Sequence, residues 1–235
     1  MYSENIYTSS GELIDNSIFS DENYIDGGIQ GRVYHYGSDK VIKVLMSDGT
    51  AYKYDMVSTI KNLNLPNFSK IYDILSKEKG PVKSYSGTIC KFYERNVIDI
   101  WTQPSEYIID SFLGICDVAT ILGRNKIAIG DLTPINTFLS NDGIIVIDFD
   151  SFYNVYGGYS DRIIDDNLYE VKSVLFLPLL FSQFVMFHDD CYDRKDLVSC
   201  VSDLLQSDNS SDTRTFVKRL SKYKYPIDYF KYHFK

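Results

Sequence analysis

The stretch from Ile129 to Asp150 limits the choice of fold more than any other part of this chain. It runs Ile-Gly-Asp-Leu-Thr-Pro-Ile-Asn-Thr-Phe-Leu and, after a short polar turn, Ile-Ile-Val-Ile-Asp-Phe-Asp. Thr137 to Leu139 and Ile144 to Ile147 read as two short strands joined by Asn141-Asp142-Gly143, residue types that tolerate turn conformations. A carboxylate, Asp131, is followed five positions later by an amide, Asn136, and twelve further on by a second carboxylate, Asp148. Oxygen ligands of this kind suit a hard cation, with one carboxylate left to orient a hydroxyl nucleophile. Asp and Asn also favour turns, but turn chemistry alone does not require this spacing.

The rest of the chain divides around that stretch. Gly31–Tyr36 and Lys40–Leu45 read as strands joined by Gly37-Ser38-Asp39, and Ser47-Asp48-Gly49-Thr50 reads as a second turn. Tyr52, Met56, Ile60 and Leu63 then recur at helical spacing until Pro66. Phe68–Leu75 and Tyr85–Tyr93 read as two more strands. Beyond the stretch Asn96–Ser105 the pattern turns helical, with Ile108, Phe112, Ile115, Ala119 and Leu122 on one face up to Gly123. Helical patterns return after Tyr169, in Val174–Phe187, Leu197–Leu205 and Phe216–Leu220, with Asp208–Asp212 as a surface loop. The expected fold class is α+β, with a strand-rich first half and a helix-rich second half.

Composition excludes several alternatives. The 235 residues fit one domain or two joined lobes, and 44% hydrophobic with 24% charged content can supply a core. A net charge of −8 argues against nucleic-acid partners, which need a basic face. The exception is the tail from Arg214, where Lys218, Arg219, Lys222, Lys224, Lys231 and Lys235 face only Asp228; it reads as a solvated surface or a docking face for an acidic partner. Cys90, Cys116, Cys191 and Cys200 form no CxxC pair and are expected to be thiols in a reducing compartment. His35, His188 and His233 have no catalytic partner visible in the sequence. No signal peptide is evident, and Val174–Phe187 is too short and interrupted to span a bilayer, so a cytoplasmic protein without membrane contact is expected.

Two further segments carry candidate chemistry. In Asp26-Gly27-Gly28-Ile29-Gln30-Gly31-Arg32-Val33, glycines between strands let backbone N–H groups approach phosphate oxygens without a Cβ in the way. A strand rather than a helix follows, and no Gly-x4-Gly-Lys-Ser/Thr occurs, so neither a dinucleotide fold nor a P-loop fits. Lys43 lies within Val41-Ile42-Lys43-Val44-Leu45, so its ammonium must either reach the strand's edge or pair with phosphate and a carboxylate. Of the acids that follow, Asp48, Asp55 and Asp73, only Asp55 falls within the helical stripe.

In this order the motifs resemble those of protein kinases, and most closely compact bacterial eukaryotic-like Ser/Thr protein kinases, from about Tyr24 to at least Leu180. Gly28, Gly31 and Val33 match the glycine-rich loop, with Asp26 in place of its first glycine; Val41-Ile42-Lys43 matches the strand lysine. Leu65-Pro66-Asn67-Phe68 looks like the turn after the regulatory helix, Asp131–Asn136 like the catalytic loop, and Asp148-Phe149-Asp150 like the metal-binding turn. The resemblance implies one bilobal domain over 1–235. Its N-lobe, about 15–95, would be a small antiparallel sheet with one helix; its C-lobe, about 105–235, would be reduced and mainly helical. It implies ATP with Mg2+ or Mn2+ as cofactors and a protein substrate as partner. Gly28 and Gly31 would cover the phosphates, and Lys43 would hold them while pairing with Asp55. Asp131 would be the catalytic base, and Asn136 and Asp148 the metal ligands. Val33, Val41 and Phe138 would enclose adenine, with its edge bonded near Phe92 and Tyr93.

The chain departs from that pattern in ways that bear on the substrate. Ile129 and Gly130 stand where the family has His and Arg, which leaves no partner for a phosphorylated activation loop. Thr133 replaces a lysine, Asp150 replaces a glycine, and Asp166 is the candidate for the buried acid that braces the catalytic loop. Only 18 positions separate Asp148 from Asp166, which reduces the platform for a peptide. The sequence therefore leaves three readings open: a Ser/Thr protein kinase, a small-molecule kinase of the aminoglycoside or choline sort, and a pseudokinase.

Overall fold

The computed structural model describes residues 5–28, 30–63, 65–80, 84–94, 103–140, 143–176, 222 and 224. Leu197–Leu205, Phe216–Leu220, the loop Asp208–Asp212, Cys191, Cys200, His188, His233 and nearly all of the basic tail lie outside them, as does Val174–Phe187 beyond Phe176. The chain forms two compact units, one of Met1–Leu65 with Ser69–Glu94 and the other of Pro66–Phe68 with Arg95–Lys235.

The first unit is an antiparallel sheet. Its strands are β1 (Tyr24–Gly27), β2 (Gly31–His35), β3 (Lys40–Gly49), β4 (Ile71–Leu75) and β5 (Tyr85–Lys91), in the order β1-β2-β3-β5-β4. Helix α1 (Ala51–Asn62) lies between β3 and β4 in sequence and starts at Thr50, whose hydroxyl accepts the Lys53 N–H (3.3 Å). The turn expected at Ser47–Thr50 does not form as such. β3 continues to Gly49 through an irregularity after Val44, Asp48 pairs with Lys77 (3.1 Å), and only Thr50 leaves the strand, as the helix cap. The buried stripe of α1 also differs from the expected one: Met56, Val57 and Ile60 face inward while Tyr52 is 69% exposed.

Side chains alternate across the sheet, and the register separates two faces. Tyr34, Ile42, Val44, Leu75 and Ile89 form one core with Ile6, Ile14 and Phe19. The segment before residue 15, outside the expected N-lobe, is thus part of the unit's core, and Tyr7 exchanges backbone hydrogen bonds with Ser76 (2.7 and 2.9 Å). The opposite face carries Val33 beside Lys43 beside Thr88, and Val41 beside Cys90. Cys90 is a buried thiol there, donating to the Thr88 hydroxyl (3.5 Å). Gly87 makes this face possible: at φ +147° it lets β5 pass so close to the Lys43 carbonyl that a Cβ would collide with it.

The second unit opens with α2 (Ser105–Arg124), on which Ile108, Phe112, Ile115, Ala119 and Leu122 are all buried, as their spacing predicts. There follow β6 (Ile127–Ala128), β7 (Thr137–Ser140), β8 (Gly143–Val146), β9 (Tyr153–Asn154), α3 (Ser160–Tyr169) and a π-helical segment, Glu170–Phe176. β6 pairs with β9 and β7 with β8, each antiparallel. Among the described residues no helix is long and apolar enough to cross a membrane. The architecture is α+β, an antiparallel sheet with one helix in the first unit and, among the described residues, helices with two two-stranded sheets in the second, the fold class expected from the sequence.

Asp73 on β4 ties the first unit together. Its carboxylate accepts the Ser9 N–H (3.3 Å), the Ser9 hydroxyl, the Ile74 N–H (2.8 Å) and the Lys61 ammonium (3.3 Å). Burial alone would raise this carboxyl, but the bonds from Ser9 and Ile74 and the Lys61 charge outweigh it and hold it below its ordinary value of 3.8. A depressed folded-state value means that the stabilisation is complete above that ordinary value and fades as pH falls through the folded one. Urea midpoints should therefore fall on acidification below about pH 4, less steeply in Asp73→Asn than in wild type. Gly87→Ala should lower the urea midpoint by the equivalent of about 2 kcal/mol or more, because the new Cβ meets backbone that cannot swing away.

Candidate active site

The loop between β6 and β7 is built around two close approaches. At Gly130 a Cβ would stand 2.6 Å from the Ser151 carbonyl, and the Ser151 hydroxyl donates to the Gly130 carbonyl. A glycine at this position therefore has a steric reason. Asp131 follows with φ 52°, a left-handed conformation that costs a non-glycine residue about 1 kcal/mol or more. Hydrogen bonds hold it there: its carbonyl accepts the Thr133 N–H (2.9 Å) and the Asn136 side-chain amide (3.1 Å). The Asp131 side chain is exposed.

Asn136 links this loop to the next. Its N–H donates to the Thr133 carbonyl (3.0 Å), and its own carbonyl accepts the N–H of Ile147 (3.0 Å), the residue before Asp148. The Asp148 carboxylate accepts the Asp150 N–H (2.9 Å), which closes a tight turn without the expected glycine. Phe149 anchors that turn. It is 3% exposed, with its ring stacked on Phe68 (5.8 Å) and edge-on to Phe152 (5.8 Å). Three predicted residues, Asp131, Asn136 and Asp148, are thus joined by a chain of backbone and side-chain bonds.

The expected brace, Asp166, is exposed on α3 and does not fill that role. The next residue does. Asn167 is 1% exposed, its Oδ1 accepts the Ile129 N–H (2.8 Å), and its Nδ2 donates to the carbonyls of Ala119 (3.1 Å) and Ile127 (2.9 Å). An aspartate could accept but not donate, so an amide is the group that satisfies all three sites. The signal was a polar residue four positions after Ile163 on the apolar side of α3, and a neighbouring acid obscured it. Asn67 was likewise read only as part of a turn. Its Nδ2 donates to the Ile144 carbonyl (3.0 Å) and its own carbonyl accepts the Val146 N–H (2.8 Å), so it pins β8, the strand that leads to Asp148.

The remaining predicted residues belong to other parts of the chain. Lys43 is half-buried in β3, in register with Val33, and Val41 lies on the same sheet face. Asp55 stands on the exposed side of α1. The Gly28 N–H donates to the Gly31 carbonyl (3.0 Å), and a Cβ on Gly31 would stand 2.7 Å from the Val44 carbonyl, so both glycines shape the hairpin itself. The Phe92 N–H donates to the Asp39 carbonyl (2.8 Å), and the Lys91 ammonium sits over the Tyr93 ring (5.0 Å). Phe138 is half-buried on β7, opposite Ile145.

Two polar groups near Asp131 stand out. The Thr133 hydroxyl is buried and has no hydrogen-bond partner among the described residues. Burial, and next the charge of Asp131, raise the Glu170 carboxyl above its ordinary range. Glu170 was not anticipated, because nothing in its sequence neighbourhood connects it with a residue 39 positions earlier.

No family model matches the chain, and no curated protein matches it. Among solved structures, the Legionella pneumophila Lpg2603 kinase bound to IP6 is similar, with a TM-score of 0.47 and 16% identity, over 99% of this chain and 89% of that one.

Asn167→Ala should lose the acceptor for Ile129 and the donor for two buried carbonyls. It should destabilise the second unit by about 2–4 kcal/mol in chemical unfolding, and Asn167→Asp should recover only part of that.

Proposed function

We propose that the chain is an ATP-dependent phosphotransferase that acts on an alcohol, most specifically a Ser/Thr protein kinase. The observation that carries this reading is the linked loop: Asp131, exposed and in a strained conformation, accepts the Asn136 side-chain amide at its backbone carbonyl, and the Asn136 carbonyl accepts the N–H of Ile147, the residue before Asp148. A strained, exposed acid held by its neighbours has little structural purpose. It suits a base that must meet a substrate hydroxyl in one orientation. The Thr133 hydroxyl nearby, without a partner among the described residues, supports the same reading, because a buried polar group left unbonded costs about 1–3 kcal/mol unless a ligand bonds it.

The donor set also fits the metal that such a reaction uses. The Asn136 amide donates through Nδ2 to the Asp131 carbonyl, which would leave its Oδ1 as the ligating atom, and Asp148 adds a carboxylate. Among the described residues no group of three or more His, Cys, Asp or Glu could hold a metal. A cation at Asn136 and Asp148 would complete its shell with phosphate and water, the usual habit of Mg2+ and close to that of Mn2+. Such a cation, when bound, neutralises charge on the phosphate oxygens.

In the transfer, the acceptor oxygen bonds to the γ-phosphorus as the bond to the β–γ bridging oxygen breaks. ADP leaves with that electron pair, and the hydroxyl proton passes to Asp131. Lys43 would hold the α- and β-phosphates from the sheet face that it shares with Val33 and Val41, the adenine-facing pair.

Purified protein incubated with γ-labelled ATP and Mg2+ or Mn2+ should label a generic protein substrate, and Asp131→Ala should reduce that label at least about a hundredfold. Label that persists in the variant would remove Asp131 as the base. Nucleotide binding without label on any protein would move the reading to a small-molecule acceptor or a pseudokinase.

A further inference from the structure

Between β9, the turn after it and α3 lies a cavity of about 470 Å³, within the size range of ligand sites and not accounted for by nucleotide or metal. Three tyrosines line it, Tyr153, Tyr159 and Tyr169, and they are 57%, 86% and 50% exposed. Aromatic rings left in water around one hollow are a costly arrangement unless something covers them. Their faces attract cations.

The charged lining points to the same kind of ligand. Arg162, Asp166 and Glu170 follow one another at four-residue intervals and all line the cavity, so among the described residues two carboxylates line it against one guanidinium. Glu170 opens the segment Glu170–Phe176, which packs against Pro134–Asn136 of the Asp131 loop, so this end of the cavity adjoins the loop of the candidate base. Ile129 and Asn167 also line it, and Ile129 is two residues before Asp131. A cation entering here would relieve the crowding of negative charge and gain the tyrosine faces, whereas an anion would meet both as repulsion.

We infer that this cavity is the acceptor-recognition subsite and takes a cationic group, an ammonium or guanidinium, carried by the phosphoacceptor close to the hydroxyl that receives phosphate. The inference rests on the phosphotransferase reading for the role of the subsite, but not for its preference for cations. The same cation can come from a basic residue flanking a Ser or Thr in a protein, or from a small amino alcohol.

Calorimetric titration of the full chain without ATP separates these points. The probes are Ser peptides that differ only in an Arg, Gln or Glu beside the serine, and an amino alcohol with its deaminated analogue. A cationic probe should bind about tenfold more tightly than its neutral partner, and the acidic peptide should bind least. Glu170→Gln and Tyr159→Ala should each bring the ratio close to one. Tyr159 is so exposed that its removal should leave the melting temperature unchanged, which guards against a folding artefact. A preference confined to the Arg peptide identifies a protein source, and one confined to the amino alcohol a small-molecule source.

Equal binding of charged and neutral probes in both series, or tighter binding of the acidic peptide, would overturn the inference. If transfer depends on Asp131 but shows no preference for cations, the subsite fails and the phosphotransferase stands. If binding prefers cations but no transfer is detected, the phosphotransferase fails and the subsite stands.

Discussion

The second unit depends on one buried amide. Asn167 joins α3 to the backbone at Ala119, Ile127 and Ile129, which belong to the end of α2, to β6 and to the start of the Asp131 loop. One buried side chain thus bonds backbone groups of three consecutive segments, and its own polar atoms are satisfied in turn. With all three satisfied by a single side chain, the loop leaves β6 at a fixed angle. The left-handed Asp131 can then be supported by its own short network.

From that point order passes along the chain by contact rather than by any single strong bond. Gly130 and Ser151 hold the Asp131 loop against the turn after Asp148. Phe149 drives into an aromatic cluster with Phe68 and Phe152, so the carboxylate one residue earlier is fixed by the burial of its neighbour. Asn67, which comes from the connection after α1, holds β8 through both its side chain and its backbone. A charged, exposed loop is thereby supported by an apolar and amide-bonded shell, the arrangement that the proposed transfer would need to hold its groups in place.

The first unit solves a different problem, which is how to keep a lysine on a strand whose neighbours are apolar. Ile42 and Val44 point into a core completed by Ile6, Ile14 and Phe19, which leaves Lys43 on the other face with Val33 and Val41. Gly87 lets β5 close against β3 at that position, and Asp73 links the N-terminal segment to α1. Both features lie tens of residues from Lys43 in sequence, and Gly87 sits directly against the Lys43 carbonyl.

The sequence by itself determined many of the elements and the local chemistry, whereas β6, β9 and α3, which begins at Ser160 and not after Tyr169, emerged only in the structure. Period-four spacing marked α2, alternating β-branched runs marked β2, β3, β7 and β8, and the Asp131–Asn136–Asp148 spacing marked the candidate site, because such patterns arise from contacts within a few residues. Tertiary structure alone decided which polar residue braces the loop and which carboxylate neighbours Asp131. Asp166 and Asn167 are adjacent letters with similar local preferences, and only packing buries one and exposes the other. The roles of Asn67, Gly87 and Glu170 were hidden for the same reason, since their partners lie tens of residues away and a long-range contact leaves no periodic trace in a single sequence.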